Sequence, residues 1–294
     1  MSPRLVVVSR RLLAVHAHPD DESLTMAGTL AAAIAAGTRV TLVTATLGEQ
    51  GEVIGADLQG LVADRADQLG GYRLTELRTA CAAMGIADQR MLGGVGAFRD
   101  SGMVGTPSVE HPRAFVRAAP GGPDHRRAVD ALAAVIDEVR PDVLLTYDAD
   151  GGYGHPDHVA AHQVALAAVA AAAPAGWRTP RTLGVVRPVT PTRAAFAALT
   201  APPGYLTADA AAVGFLADDS VVAVAVPVGA ADSARRRALA AHATQVELIE
   251  GAFALSNRIA QPLPDTEFYR LLAGDPPPQS AGGSPASDVF AGLA

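Results

Sequence analysis

Short apolar runs alternate with longer alanine-rich segments through the first 170 or so residues, and this rhythm constrains the fold more than any other feature. Leu12 to Val15 reads as a buried strand. It leads into His16-Ala17-His18-Pro19-Asp20-Asp21-Glu22. Ser23 to Ala36 follows as a helix, with Gly37 placed as its C-cap, and Val40 to Thr46 is again apolar and β-branched. Strand, helix and strand within about 35 residues make a βαβ unit. Further helices are expected over Leu58 to Met84, Ala128 to Val139 and Pro156 to Ala173, the last with proline in its first turn. Asp142 to Tyr147 reads as another buried strand.

The alternation predicts an α/β fold: a Rossmann-like, mostly parallel sheet with helices on both faces and a metal site at the strand carboxyl ends. Residues 1–175 form the expected catalytic core. Residues 176–273 complete the same domain, with strands near Leu183 to Arg187 and Val221 to Val226 and a helix from Ser233 to about Ile249. The tail, 274–294, is rich in Pro, Gly and Ser and is expected to lack fixed structure. Gly93 to Pro123 is a long connection holding seven glycines, a length that usually marks a functional loop.

Composition removes several chemistries. All 23 basic residues are arginine, so Schiff-base chemistry on lysine and a Walker A loop are excluded. The single cysteine, Cys81, excludes a cysteine-rich zinc module and an internal disulfide, and its alanine neighbours suggest that it is packed. A net charge of −7 argues against a nucleic-acid partner. The run Leu5 to Val8 is too short for a signal segment, and no stretch approaches the roughly 18 apolar residues of a membrane span. The expectation is a cytoplasmic protein with no membrane partner.

Five of the eight histidines fall in two short segments, HPDDE preceded by His16, and HPDH followed by His162. Alone, an Asp-Asp-Glu run after a strand is ordinarily a helix start with first-turn acids, and a lone His-x-x-His is a ligand pair only in a minority of cases. Two such segments, each directly after an expected strand, point instead to a metal site built from imidazole and carboxylate, a donor set that suits zinc or iron(II).

With His18-Pro19-Asp20-Asp21-Glu22 and His155-Pro156-Asp157-His158, the chain resembles the LmbE/PIG-L family of zinc-dependent amino-sugar deacetylases. The likeness runs from about residue 12 to 170. It includes Thr46 to Gly55, Asp67 to Arg73, Arg99 to Met103 and Gly151 to Gly154, which are similar to the mycothiol-biosynthesis branch. That branch removes acetate from N-acetylglucosaminyl-inositol, a small pseudo-disaccharide.

The resemblance implies one zinc ion per chain, with iron(II) possible, held by His18, Asp21 and His158. It implies Asp20 as general base and His155 as oxyanion stabiliser or acid. Asp157 would tune a neighbouring histidine, Tyr153 would reach the substrate carbonyl, and Arg73 and Asp100 would contact sugar or inositol hydroxyls. A second branch of the family, the mycothiol S-conjugate amidases, carries a lysine just after the DDES run. Leu24 and Thr25 stand there in this chain. A nucleotide-binding module would want G-x-G-x-x-G after the first strand, whereas Gly94-Val95-Gly96 meets Arg99 at the third glycine position. His16 reads as a core residue, and His162 as either a supporting or a surface residue. His111, His125, His242 and the Arg235-Arg236-Arg237 run read as solvated.

Overall fold

The computed structural model describes residues 9–279 and 282–294. The run Leu5 to Val8 lies outside them. The strands β1 (Arg11–His16), β2 (Arg39–Thr44), β3 (Asp88–Met91), β4 (Val143–Tyr147) and β5 (Arg181–Pro188) join in the order β3-β2-β1-β4-β5, all parallel. The β4 residues are buried throughout, as are those of β1 after Arg11. That is why these segments read as continuous apolar runs rather than as alternating ones.

The chain moves from β1 outward to β3 and then returns to β4. Right-handed crossovers therefore put the two sets of helices on opposite faces. On one face lie α1 (Asp21–Thr25), α2 (Ala27–Ala35) and α3 (Leu69–Met84); on the other lie α4 (His125–Val139) and α5 (Pro156–Ala175). The strand order reverses between β1 and β4, which opens a crevice at their carboxyl ends. After β5 the chain adds α6 (Val189–Ala198), β6 (Leu216–Ala217), β7 (Val224–Pro227) and α7 (Asp232–Ala241). A small sheet follows, of β8 (Glu247–Ile249), β9 (Ala252–Ala254) and β10 (Gln261–Pro262). The last strand, β11 (Thr266–Gly274), pairs antiparallel between β5 and β7, so the main sheet is mixed but mostly parallel. No described helix is long and apolar enough to cross a membrane.

Several expectations change. The helix expected over 23–36 is two helices, broken at Met26 (φ −148°). The buried Glu267 of β11 caps the second one, accepting from the Gly28 and Thr29 amides at 2.8 and 2.7 Å. The region 58–84 holds a 3₁₀ turn and then α3. The helix expected to reach Ile249 ends at Ala241, because the Thr244 amide and hydroxyl bind Glu76 at 2.8 and 2.7 Å and pull the chain away. The described part of the tail is ordered. Val289 and Phe290 are buried, Ala286 bridges to Val224, and the fully buried Arg181 donates to the Val289 carbonyl. The overall Pro/Gly/Ser content of the tail masks this one apolar pair.

Candidate active site

The crevice between β1 and β4 gathers both histidine segments. His18 follows β1, and His155 and His158 open α5 after the loop that leaves β4. His18 Nδ1 lies 3.2 Å from His158 Nε2 and 3.4 Å from Asp21 Oδ2, and His158 Nε2 lies 3.4 Å from Asp21 Oδ1. Atoms about 2.0–2.1 Å from a tetrahedral metal are separated by about 3.3–3.4 Å. The two nitrogens already stand near that spacing, and Asp21 approaches each of them with a different oxygen, so one small ion could draw the three side chains together.

Each of the three is also held from behind. The far nitrogen of His18, Nε2, faces Asp157 Oδ2 at 3.2 Å and Asp100 Oδ1 at 3.5 Å. His158 Nδ1 meets the Gly151 carbonyl at 3.0 Å. Asp21 Oδ2 accepts from the His18 amide at 2.9 Å and from the Tyr147 hydroxyl at 2.5 Å. Such support orients metal-binding side chains and is typical of metal centres. The groups His18, His155, His158 and His18, Asp100, Asp157 also bring donor atoms within 4.8 Å of one another. They fit an ion less well. His155 Nδ1 already accepts the Asp157 amide, and the two carboxylates lie against the rear nitrogen of His18.

Asp20 lines the same pocket as His18 and Asp21 and has φ 111° and ψ −31°. This conformation is strained for a residue other than glycine, at a cost on the order of 1–3 kcal/mol. The buried Arg73 restrains Asp20. Its Nη2 pairs with Asp20 Oδ2 at 3.1 Å and donates to the Pro19 carbonyl, while Nη1 donates to the Gly48 carbonyl at 2.7 Å. Gly48 (φ +66°) must lack a side chain, because a Cβ there would stand 2.1 Å from Arg73 Nη1. Burial, opposed by the Arg73 charge, pushes the Asp20 carboxyl up to about 7.

The other expected residues fall as follows. Asp100 is buried, with its oxygens on the Gly102 and Gln50 amides at 2.8 and 3.1 Å. Arg73 and Asp100 line the pocket, but their polar atoms are engaged mainly within the protein rather than free for hydroxyls. Asp157 is fully buried and bound to His18 and, at 2.9 Å, to the Ser101 amide. Tyr153 is exposed and stands edge-on to His158 with ring centroids 5.1 Å apart. His155 lines the pocket; burial first, and then His18 and His158, lower it to about 3. It is therefore a neutral imidazole, and because Nδ1 accepts, its proton lies on Nε2.

His16 is fully buried against Met26 Sδ at 3.2 Å and takes no part in the cluster. His162 is buried, with Nδ1 2.9 Å from the Tyr147 carbonyl. Two expectations of solvation fail. His242 is fully buried, with Nε2 2.7 Å from Glu22 Oε1, and Arg235 is buried, reaching the Pro264 carbonyl and Asp232.

Sequence reasoning missed Tyr147, which sits at the end of an apolar strand. It also missed the far wall, where Arg187, Phe215, Gln245 and Gln261 line the pocket without any motif. For Tyr147, the one signal available was a hydroxyl at a strand's carboxyl end.

The fold and the site define an α/β protein whose switch-point crevice holds a buried His/Asp cluster able to bind a metal. A family model described as PIG-L, GlcNAc-PI de-N-acetylase, matches residues 13–169, and the chain belongs to that family. The chain is 70% identical to the 1D-myo-inositol 2-acetamido-2-deoxy-alpha-D-glucopyranoside deacetylase of Nakamurella multipartita over 97% of each chain. It is 47% identical to the protein of the same name from Nocardia farcinica over 96% of each.

Among solved structures, the chain is similar to GalB, the 4-carboxy-2-hydroxymuconate hydratase of Pseudomonas putida. The TM-score is 0.57 at 15% identity, over 92% of this chain and 100% of that one. A deacetylase of teicoplanin biosynthesis, in complex with teicoplanin, matches with a TM-score of 0.52 at 19% identity, over 89% and 98%. These two likenesses bear on the fold alone; a hydratase and a deacetylase share it.

Proposed function

We propose that this chain hydrolyses the acetamide of 1D-myo-inositol 2-acetamido-2-deoxy-alpha-D-glucopyranoside, releasing acetate and glucosaminyl-inositol. The observation that carries the chemistry is the convergence of His18 Nδ1, Asp21 and His158 Nε2 at 3.2–3.4 Å, each restrained from behind. The substrate is inferred from the near full-length relatives that bear its name.

His18, Asp21 and His158 would hold one zinc ion, a role iron(II) also suits. When bound, the metal would polarise the amide carbonyl and acidify water. The chain's own groups do the rest. Asp20, beside the cluster and held by Arg73, takes the proton of the attacking water and passes it to the leaving amine. His155, with its proton on Nε2, donates a hydrogen bond to the oxygen that becomes negative; a neutral imidazole suits this role better than that of an acid. The exposed Tyr153 hydroxyl can reach the same oxygen. Asp157 fixes the ring of His18, and Asp100 ties the loop around residues 99–102 to the backbone of Gln50. Arg187, Gln245 and Gln261 offer polar groups to the second ring.

The test is a deacetylation assay on the pseudo-disaccharide beside a mycothiol S-conjugate, before and after chelation. Activity on the first substrate, lost with chelator and restored by added metal, is expected. Full activity in metal-free protein, or a preference for the conjugate, would overturn the reading.

A further inference from the structure

Asp20 cannot keep its strained backbone unaided, and its amide has a specific acceptor. Glu22 Oε2 accepts the Asp20 amide at 3.1 Å. Glu22 Oε1 accepts the Ser23 hydroxyl at 2.6 Å and faces His242 Nε2 at 2.7 Å. Both Glu22 and His242 are fully buried, and 220 residues separate them along the chain.

His242 is itself fixed in place. It caps α7, its amide donating to Leu239 at 3.1 Å, and its carbonyl accepts the Gln245 and Val246 amides, each at 2.8 Å. Two residues on, Thr244 is anchored to Glu76 of α3, and its carbonyl accepts the Ile54 amide at 2.8 Å. The turn that closes α7 is thus tied to α3 and to the loop beside the pocket. It extends one side chain to the acid that holds the backbone of Asp20.

We propose that Glu22 and His242 are positioning residues for Asp20, holding its strained backbone so that its carboxylate faces the pocket. A pair that served packing alone would not need one carboxylate oxygen on the backbone of the neighbouring strained residue. The proposal rests on the reading of Asp20 as the base. It assigns the C-terminal third of the chain a part in the chemistry.

The test uses the full-length metal-loaded protein and four variants: His242→Phe, His242→Gln, Asp20→Ala and the double variant of Asp20→Ala with His242→Phe. Supporting outcomes place the effect in turnover. His242→Phe should lower kcat about 10- to 100-fold, the usual range for side chains supporting a site from behind. KM should stay within about twofold and metal stoichiometry should not change. Gln can place its amide nitrogen where Nε2 stood, so His242→Gln should recover much of the loss. In the Asp20→Ala background, His242→Phe should cost little more, because a residue that acts through Asp20 has nothing left to act on.

The inference is overturned if His242→Phe turns over normally. It is also overturned if that change costs the same factor with and without Asp20, or if rate and metal are lost together, which would place the effect on Asp21. Normal turnover by Asp20→Ala alone would instead remove the base assignment.

Discussion

The Tyr147 hydroxyl donates to Asp21 Oδ2 at 2.5 Å, joining the carboxyl end of β4 to the segment that follows β1. The same hydroxyl accepts the Ala17 amide at 2.8 Å, so one side chain fixes both the acid and the turn leading to it. Tyr147→Phe keeps the ring stacked on His158 but leaves Asp21 Oδ2 with the His18 amide alone. Metal affinity should fall about 10- to 100-fold, measured by competition with a chelating dye. Unchanged affinity would show that the His18 amide alone orients Asp21.

Asp20 and Arg73 should behave as one unit. Asp20→Ala should retain metal and lose on the order of 10²- to 10⁴-fold in turnover, the contribution of a positioned base. Arg73→Ala removes the partner of that carboxylate, and the guanidinium's remaining bonds go to the Pro19 and Gly48 carbonyls. Its loss should therefore appear mainly in kcat. A rise confined to KM would return Arg73 to the sugar-contacting role that the family resemblance implies.

His155 offers a distinct test of its proton's position. With Nδ1 accepting the Asp157 amide at 3.2 Å, only Nε2 can donate into the pocket. His155→Ala should cost about 10²- to 10³-fold in kcat, as loss of one oxyanion donor does. His155→Gln, which can donate from nearly the same place, should recover part of it. If the Gln variant is as slow as the Ala variant, donation from Nε2 is not the role.

The parallel half of the sheet and the metal-type cluster were legible because their signals are local. β1 and β4 are each one apolar run; His18 and Asp21 follow β1 closely, and His158 lies in the short HPDH motif that opens α5 after the loop leaving β4. What was not legible depends on partners far along the chain. Nothing near His242 announces a bond to Glu22, and Arg235 sits in a charged run that resembles any solvated helix face. β11 was missed because its buried residues on one face include Glu267, which reads as polar and lies there to cap α2. Arg73 and Asp100 were placed near the pocket by resemblance. Only their hydrogen bonds show that they hold the protein together there.

Cys81 is buried on α3, and burial pushes its thiol well above the usual range. A raised thiol pKa leaves almost no thiolate at pH 8, and the thiolate is the reactive form. An aromatic disulfide reagent should leave the native protein unmodified and titrate one equivalent in denaturant. Rapid labelling of the native protein would mean that α3 opens readily.

Arg187 stands at the carboxyl end of β5, on the far wall of the pocket from the metal-type cluster. Its guanidinium lies over the Phe215 ring at 5.6 Å, and its one hydrogen bond among the described residues runs from Nη1 to Gln261 Oε1 at 3.2 Å. The buried Arg73 and Arg235 both have carboxylate partners, whereas Arg187 forms no ion pair among the described residues. Burial lowers it to about 10, so it remains cationic near neutral pH with donors to spare. A ring bearing several hydroxyls can accept from such a group, and bonds to a charged donor are the stronger ones. Arg187→Met keeps an apolar stem over Phe215 and removes the donors. kcat/KM for the pseudo-disaccharide should fall about 10-fold or more, the range for losing a hydrogen bond to a charged group. Turnover of plain N-acetylglucosamine, which lacks the second ring, should fall much less, and metal content should not change. An equal loss on both substrates would place Arg187 against the glucosamine ring and withdraw its assignment to the inositol.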